Sequence, residues 1–338
     1  MAATSTSRIE AKYYRKDGDE YVCGLCPHEC RIAVGGFGRC GARRGDEDFL
    51  VAYSYGKVSS LCIDPIEKKP LYHFKPKSKI FSVGGIGCNM ACKHCQNHAI
   101  SISPIGKKRT TFETPEELVE MCRKERSDSI AFTYNEPMIW PEYVLDVMDV
   151  DPDLLCVLVT NGLVKEEALD DLCGVADAMN IDIKGFTDEF YMKVCKGHLD
   201  DVLNTVKYVF EKKVHLEVTY LVIPGYNDSD QELIRFSEWI RDELSADVPV
   251  HFNRFHPDNE MNNVPWTPVE KIFEARDTAM DAGLNYVYAG NILSEEANDT
   301  YCPECGAVVI KRTGYMVDIA ALDGNRCSSC RTKLNIIR

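Results

Sequence analysis

The 338-residue sequence lacks three features, each of which would place it in a different class of protein. It has no run of eighteen apolar residues, so we expect no membrane-spanning helix. Residues 1–8 have no apolar core of the kind that a secretion signal carries, so we expect a frayed start there. It also has no excess of positive charge, because its formal net charge is −14, and this disfavours broad contact with nucleic-acid phosphates.

Cysteine, in contrast, is abundant, and the spacing of the sixteen cysteines decides how they are interpreted. Five are scattered, mostly in apolar surroundings, and are expected to be small buried hydrophobic residues. The chain is too long to be a small disulfide-stapled protein, so we expect a reducing compartment, the cytoplasm. The other cysteines form three tight clusters with the spacing of metal ligands: Cys23, Cys26, Cys30 and Cys40; Cys88, Cys92 and Cys95; and Cys302, Cys305, Cys327 and Cys330.

The central cluster has the spacing C-x3-C-x2-C and follows the strand-like run Ile80–Val83 and two glycines. Three thiolates on one loop can each bind one iron of a cubane 4Fe–4S cluster, which leaves the fourth iron open to another ligand. A zinc knuckle is the alternative, although such a site normally takes four ligands from two paired knuckles. The loop resembles the signature of radical S-adenosylmethionine (SAM) enzymes. This resemblance implies that SAM closes the fourth iron and is cleaved by one electron to methionine and a 5′-deoxyadenosyl radical.

The two outer clusters offer four thiols each. The last four cysteines form two C-x2-C knuckles with a predicted hairpin between them, which indicates a structural zinc ribbon, although rubredoxin-type iron uses the same ligands. The first four lie among glycines, with His28 as a spare candidate ligand, and they can wrap one ion or a second cluster. Their spacing does not decide between zinc, iron–sulfur and unmetallated thiols. We take zinc as the leading alternative, because the long gap between Cys30 and Cys40 resembles a wrapped ion.

From Lys79 to Leu293, strand-like apolar runs alternate with helical patterns, which predicts βα units around a parallel sheet. We therefore expect a cysteine-rich segment at 1–77, an α/β barrel at 78–293 and a tail at 294–338. Chemistry in such a barrel collects where the strands end. The predicted strands are Ile80–Val83, Ser129–Thr133, Leu155–Thr160, Ala178–Ile183, Val214–Ile223, Val248–Phe255 and Asn285–Ala289. One helix is predicted to begin after Thr114. The other predicted helices are Glu166–Leu172, Leu199–Lys212, Asp230–Leu244 and Val269–Ala282.

Polar residues follow several of these strands. Asn161 belongs to a Thr-Asn-Gly turn, and alternation places Asp182 and Lys184 on one side of their strand. A buried Asp and Lys two residues apart need either each other or a ligand. The charged run Ile63–Phe74 is typical of a solvated surface, and its Lys and His side chains are also candidates to steer an acidic partner.

Over nearly its whole length, the chain resembles the AmmeMemoRadiSam system radical SAM enzymes, homologues of the pyruvate formate-lyase activating enzyme. The matching segments are Cys23–Cys30, Asp64–His73, Cys88–Asn97, Tyr134–Pro137, Leu221–Asn227, Arg254–Asp258, Tyr286–Asn291 and the final ribbon. The resemblance implies a partial (βα)6 TIM-like barrel, a 4Fe–4S cluster and SAM. It also implies a reductant such as ferredoxin or flavodoxin, and an association with Memo-like and AMMECR-type proteins.

The same resemblance implies which residues surround SAM. Glu136 stands in a strand-end motif that hydrogen-bonds the SAM amino group, with Tyr134-Asn135 where relatives carry two glycines. Val159 stands where activases carry an Asp, which puts a monovalent-cation site in doubt. His94 replaces an aromatic residue, and its flat ring can pack on adenine. The implied cofactor-binding residues are His94, Asn97, Glu136, Asn161, Asp182, Lys184 and His256.

Three functions are compatible with these features. The leading one is a radical SAM enzyme that abstracts hydrogen from a protein or peptide. The second is a glycyl-radical activase, and the third is an electron carrier with several iron–sulfur centres. RNA modification is disfavoured by the acidic charge balance.

Overall fold

The computed structural model describes residues 8–102, 109–292, 294 and 296–338, and it divides into two compact units. The first unit comprises the described residues up to Ile63 and Ile80–Asp177, and the second comprises Asp64–Lys79 and Ala178–Arg338. The N-terminal and central cysteine clusters both belong to the first unit. The C-terminal cysteines belong to the second.

In the described part of the chain up to residue 177, the elements follow one another from an antiparallel N-terminal region into βα units. They are β1 (Tyr14–Asp17), β2 (Glu20–Cys23), β3 (Arg31–Ala33), β4 (Arg43–Gly45), β5 (Leu50–Ala52), β6 (Lys57–Val58), β7 (Ser60–Pro65), β8 (Lys79–Gly84), α1 (His98–Ser101), β9 (Thr111–Phe112), α2 (Pro115–Lys124), β10 (Ser129–Phe132), α3 (Pro141–Val150), β11 (Leu155–Thr160) and α4 (Glu166–Val175).

From residue 178 onward, the βα units continue and an antiparallel tail follows. The elements are β12 (Ala178–Asp182), α5 (Asp188–Phe190), α6 (Leu199–Glu211), β13 (His215–Val222), α7 (Asp230–Glu243), β14 (Val250–Arg254), α8 (Val269–Asp281), β15 (Val287–Gly290), β16 (Thr300–Tyr301), β17 (Val308–Thr313), β18 (Met316–Ile319), β19 (Leu322–Asp323) and β20 (Arg326–Cys327).

In the first unit, β10 pairs in parallel with both β8 and β11. All four residues of β10 are buried, as is typical of a parallel strand covered on both faces. Helix α2 begins with a capping box, in which Thr114 and Glu117 satisfy each other's backbone N–H groups. At the N-terminal end, β1, β2 and β3 form a separate antiparallel sheet that leads into the first cysteines.

In the second unit, β12, β13, β14 and β15 form consecutive parallel pairs. Their side chains alternate, and the polar ones meet on one face, where the Thr219 hydroxyl donates to Asn180 Oδ1 at 2.9 Å. The tail forms the predicted hairpin, with β17 antiparallel to β18. Its own small core includes Val309, Ile310 and Leu334.

The predicted strands of the βα region are all confirmed, with ends shifted by at most two residues. Helix α3 was not predicted. Most of its residues are buried, so its sequence shows little of the contrast between two faces that marks an amphipathic helix. Within the described ranges, no helix combines the length and the apolar composition that crossing a bilayer requires.

The prediction of a solvated surface for Ile63–Phe74 is wrong. Asp64, Glu67, Lys69 and His73 are between 0% and 3% exposed. Lys69 Nζ lies 2.7 Å from Asp64 Oδ2, so this buried charge pair satisfies itself. Charged letters in a sequence indicate a surface only when the fold supplies no buried partner for them.

All sixteen cysteines lie in the described part, and none forms a disulfide. Of the five scattered cysteines, Cys122, Cys156 and Cys195 are buried as expected. Cys173 is half-buried, and Cys62, on β7, is exposed, so the expectation of burial fails for this last residue.

Candidate metal and cofactor site

The C-x3-C-x2-C loop begins at the carboxyl end of β8, where the side-chain amide of Asn135 holds its backbone. Asn135 Oδ1 accepts a hydrogen bond from Gly85 N at 2.8 Å, and Asn135 Nδ2 donates to Gly87 O at 3.0 Å. Gly87 has a φ of +91°, and a Cβ added there would lie 2.2 Å from Cys40 O. Only glycine fits this position. Asn135 and Gly87 therefore set the path of the loop, and neither role is visible in the cysteine spacing.

The three thiols of this loop are partly or fully buried, and two N–H donors approach the sulfur of Cys88. Met90 N lies 3.4 Å and Asn161 Nδ2 lies 3.5 Å from Cys88 Sγ. Burial, helped by the nearby Glu136 carboxylate, raises the pKa of Cys88 well above its usual value. Donors aimed at sulfur are typical of ligands to iron–sulfur clusters, whose potentials they tune.

The separation of the three sulfurs tests whether they fit a cluster. Among the described residues, Cys88, Cys92 and Cys95 do not form a group with all three sulfurs within 4.8 Å of one another. Thiolates around a single tetrahedral ion lie about 3.8 Å apart, whereas thiolates on different irons of a cubane lie roughly 6 Å apart. The loop therefore fits a cluster better than a lone ion.

Glu136 is committed to hydrogen bonds within the protein. Its carboxylate is 1% exposed and accepts from Met138 N, from the Thr160 hydroxyl and from Asn161 N, at 2.9, 2.5 and 2.8 Å. These bonds join the end of β10 to the end of β11. The geometry gives Glu136 a positioning role, which the strand-end motif alone did not indicate.

Asn161 links that turn to the cysteine loop. Its Nδ2 donates to Asn89 Oδ1 at 3.0 Å, and its Oδ1 accepts from Leu163 N at 2.8 Å. Asn89 lies between the first two cysteines of the loop, and sequence reasoning missed it. A buried side-chain amide needs hydrogen-bond partners for its polar atoms. The presence of an Asn inside the cysteine loop was therefore the available signal for the role of Asn89, which is 1% exposed.

Tyr134 occupies the position where radical SAM relatives are expected to carry glycine. Its φ of +71° lies in the left-handed region, which a non-glycine residue adopts at a cost of about 1 kcal/mol or more. The backbone therefore makes the same turn that a glycine would make. The strain is borne by the packed strand ends around it.

His94 and Asn97 lie on either side of the third cysteine. His94 is 4% exposed, within the loop itself. Asn97 is exposed, and its backbone carbonyl accepts from Ile100 and Ser101 at the start of α1. The two side chains thus differ in solvent exposure, because His94 is buried inside the loop and Asn97 lies at the surface.

The other three predicted SAM-contacting residues belong to the second unit, at the carboxyl ends of β12 and β14. Asp182 and Lys184 pair with each other, with Nζ 2.9 Å from Oδ2, while Asp182 remains 34% exposed. The His256 ring lies 5.2 Å from the ring of Trp266, which is itself exposed. The guanidinium of Arg254 lies 5.1 Å above the same indole. The strand ends of this unit therefore present one ion pair and one cation–aromatic cluster.

The N-terminal cysteines, which we call the N-terminal cysteine set, lie at the end of β2 and in the loops on both sides of β3. Burial raises the pKa of Cys26 to about 12 and that of Cys40 to about 11. Cys30 is half-buried. In the absence of a metal these two buried thiols are protonated, and binding a metal displaces the protons.

The C-terminal cysteines, which we call the tail set, converge on one point. Cys302 Sγ lies 3.6 Å from Cys330 Sγ, and Cys305 Sγ lies 3.7 Å from Cys327 Sγ. Four thiolates at 2.3 Å from a tetrahedral zinc ion would lie about 3.8 Å apart. The side chain and backbone of Thr332 lower the pKa of Cys330 to about 6. The tail set therefore fits one four-coordinate ion.

Comparisons with known proteins agree with this geometry. The sequence model of the Radical SAM superfamily matches residues 83–237. An uncharacterized protein of Methanocaldococcus jannaschii is 43% identical over 97% of this chain and 99% of its own length. The pyruvate formate-lyase 1-activating enzyme of Escherichia coli is 26% identical over 46% of this chain and 66% of its own length. A radical SAM methyltransferase from Sphaerobacter thermophilus shares the fold, with a TM-score of 0.52, 16% identity and coverage of 64% of this chain and 67% of its own.

Proposed function

We propose a function for this chain from one premise: it belongs to the radical SAM superfamily. Members of this superfamily are enzymes, and membership implies a 4Fe–4S cluster and SAM. In this chain, Cys88, Cys92 and Cys95 would hold the cluster. When bound, the cluster and SAM supply a 5′-deoxyadenosyl radical by one-electron cleavage of SAM.

The observation that carries this proposal is the construction of the C-x3-C-x2-C loop. Asn135 holds its start, Gly87 fits against Cys40, and Asn161 reaches both Asn89 and the Cys88 sulfur. Side-chain amides thus fix a loop whose three sulfurs do not all lie within 4.8 Å of one another, as a cluster would require and a single ion would not.

We assign two kinds of role to the remaining site residues. Glu136 and Asn161 position the strand ends around the loop through the hydrogen bonds described above. We propose that His94, Asn97, Asp182, Lys184 and His256 contact SAM. Because Asp182 and Lys184 form an ion pair, SAM would meet a preorganised pair of opposite charges, which suits its own ammonium and carboxylate groups.

We propose a polypeptide as the substrate. The Escherichia coli relative activates another enzyme, as its name states, and activase homologues use a reductant and act on proteins. A partial (βα)6 barrel, which we retain as a proposal, would leave a lateral opening wide enough for a peptide. Glycyl-radical activation is the second candidate, and the similarity to the activase favours it. Membership of the AmmeMemoRadiSam system, with Memo-like and AMMECR-type partners, rests on the sequence resemblance.

The tail set is proposed to hold zinc in a structural role. All four positions around the ion would be filled by cysteine, so the site has no open position for a substrate. The sulfur separations of 3.6 and 3.7 Å support a single ion.

The proposed function is tested by anaerobic reconstitution with iron, sulfide, SAM and dithionite. Wild-type protein is expected to produce 5′-deoxyadenosine, detected by mass spectrometry, and the C88A/C92A/C95A variant to produce none. Cys62→Ala is the matched control, because it removes an exposed thiol outside all three clusters. Formation of 5′-deoxyadenosine by the triple variant would refute the assignment of the cluster ligands.

The substrate class is tested by deuterium transfer. Reduced enzyme and SAM are incubated with deuterated cell protein and, separately, with a deuterated metabolite pool. Deuterium is expected in 5′-deoxyadenosine from the protein pool. Label arising from the metabolites alone would exclude a polypeptide substrate.

A further inference from the structure

The N-terminal cysteine set is arranged as a set of metal ligands, although no member of it belongs to the C-x3-C-x2-C loop. Each sulfur is approached by a backbone N–H: Ala42 N lies 3.4 Å from Cys40 Sγ, and Arg39 N lies 3.5 Å from Cys30 Sγ. Backbone groups of Leu25 and His28 make the equivalent bonds to Cys23 and Cys26. Such donors stabilise sulfur that carries negative charge.

The separation of these sulfurs distinguishes the set from the tail. Among the described residues, no three thiols of the N-terminal cysteine set lie within 4.8 Å of one another, whereas all four of the tail set do. Around a single ion the sulfurs would be about 3.8 Å apart, and on the four irons of a cubane roughly 6 Å apart. The fold nevertheless gathers the four cysteines in one region, because β2 pairs with β3 and Cys23 N donates to Cys30 O at 3.0 Å. Gly38, two residues before Cys40, packs against Ile32 of β3. A cluster fits that region better than an ion.

Arg43 provides an independent observation, because it places a buried guanidinium with unused donors in the same unit. Its side chain is 0% exposed, and its Nη1 donates to Glu142 Oε2 at 2.9 Å. Its Nε and Nη2 are buried with no hydrogen-bond partner. Arg43 begins β4, three residues after Cys40. Two buried N–H donors without partners on a cation destabilise the fold unless an anionic group accepts hydrogen bonds from them. Thiolate or sulfide would be such an acceptor.

The N-terminal cysteine set also adjoins the C-x3-C-x2-C loop within the first unit. The carbonyl of Cys40 packs so closely on Gly87 that a Cβ there would lie 2.2 Å from it. The imidazole Nε2 of His28, between two of the cysteines, lies 2.8 Å from Asn89 O, between two cysteines of the loop. A hydrogen bond therefore connects the two ligand loops directly.

We propose that Cys23, Cys26, Cys30 and Cys40 hold a second 4Fe–4S cluster, which passes an electron to the cluster at the C-x3-C-x2-C loop. Four cysteines close all four irons, so this cluster cannot bind SAM and its chemistry is one-electron transfer. Held by these four cysteines, the second cluster would accept one electron from a reduced low-potential carrier protein and would pass it to the cluster at the C-x3-C-x2-C loop, with no bond or proton exchanged. The electron-transfer part rests on the proposed function, whereas the binding part does not.

The binding part is tested on the full chain purified anaerobically. Wild type is expected to contain about eight irons, eight sulfides and one zinc. The C88A/C92A/C95A variant should keep about four irons and, once reduced, an electron paramagnetic resonance signal of a 4Fe–4S cluster. About two zinc ions and no iron in that variant, or no metal at all besides the tail ion, would overturn the assignment.

The electron-transfer part is tested by changing the reductant. The C23A/C26A/C30A variant is expected to cleave SAM with dithionite, which reduces the remaining cluster directly, and to lose at least ten-fold in rate with reduced flavodoxin. Cys62→Ala should match wild type with both reductants. Equal rates with flavodoxin would refute the relay.

If that variant does not fold, the electron paramagnetic resonance signal of the wild type decides. Flavodoxin is then expected to reduce both clusters, and reduction of the loop cluster alone would refute the relay. Absence of SAM cleavage by wild type with dithionite would refute the proposed function and leave the iron count to judge the second cluster.

Discussion

The N-terminal cysteine set and the tail set offer the same four thiols, and the fold arranges them differently. In the tail set, sulfur pairs lie 3.6 and 3.7 Å apart, beside a small core of its own. In the N-terminal cysteine set, no three of the described sulfurs lie within 4.8 Å of one another, and the buried guanidinium of Arg43 follows Cys40 by three residues. The comparison teaches that the same four thiols can be held at different separations and beside different charges. On our proposals, those distances and charges, rather than the identity of the ligands, select the metal group.

The largest effect is expected from removing ligands of the tail set. In C302A/C305A the tail should lose its zinc and unfold locally, since structural zinc supplies on the order of 10 kcal/mol to small zinc domains. Iron content should stay at the wild-type value. Metal analysis and hydrogen exchange of residues 300–338 are the measurements. Retention of zinc, or loss of iron from this variant, would remove the distinction between the two sets.

Substitution of Arg43 tests whether its buried charge supports metal binding by the N-terminal cysteine set. Arg43→Met leaves the buried Glu142 carboxylate without its cationic partner and should cost about 3–5 kcal/mol in the free energy of unfolding. It should also lower the iron content of the C88A/C92A/C95A background while the tail zinc is unchanged. The R43M/E142Q double variant is the matched control, because it removes both charges. If the double variant regains stability and still binds iron fully, Arg43 does not serve the cluster.

Gly87→Ala tests the contact between the N-terminal cysteine set and the C-x3-C-x2-C loop. The added Cβ would lie 2.2 Å from Cys40 O, and φ is +91°, so we expect a loss of about 2–4 kcal/mol. Gly174→Ala is the control, since nothing lies within 4 Å of its added Cβ and it belongs to α4. Chemical denaturation measures both. Equal stability of the two variants would mean that the two loops do not touch.

The smallest effect concerns the attachment of the tail to its own unit. His73 Nδ1 lies 2.7 Å from Asn335 O, and burial lowers the pKa of His73 to about 3, with Glu217 opposing that shift and Arg312 and His215 assisting it. Below about pH 6.5, His73 is therefore protonated in the unfolded chain while it stays neutral in the folded chain. Stability should fall as the pH drops from 6.5 towards 3, by up to about 1.4 kcal/mol per pH unit.

Thermal unfolding of wild type and His73→Asn between pH 7 and pH 4 measures this effect. The variant is expected to be less stable at pH 7 and to show a flatter dependence on pH. Glu217, whose pKa is held low by His215 and His251 despite its burial, contributes a further loss as the pH falls below its usual range. Identical slopes for the two proteins would assign the acid sensitivity to groups other than His73.

Much of the fold and the central site could be predicted from sequence, because short-range spacing determines them. Cys88, Cys92 and Cys95 are close along the chain, and the alternation of apolar residues located β8, β10 and β11 within two residues. The start of α2 after Thr114 was predicted for the same reason, because the residues that cap a helix are local in sequence.

The rest depends on partners that are distant along the chain. Glu142 is ninety-nine residues from Arg43, and Glu217 is 144 residues from His73, to whose N–H it is bonded. No local pattern indicates such pairs, so the sequence of Ile63–Phe74 predicted a solvated surface, and the hydrogen bond from Asn135 to Gly87 O was not predicted. The sequence by itself determined which residues are able to bind metal. Only the tertiary structure decided how far apart their sulfurs lie and which buried charge faces them, because packing between remote segments sets those distances.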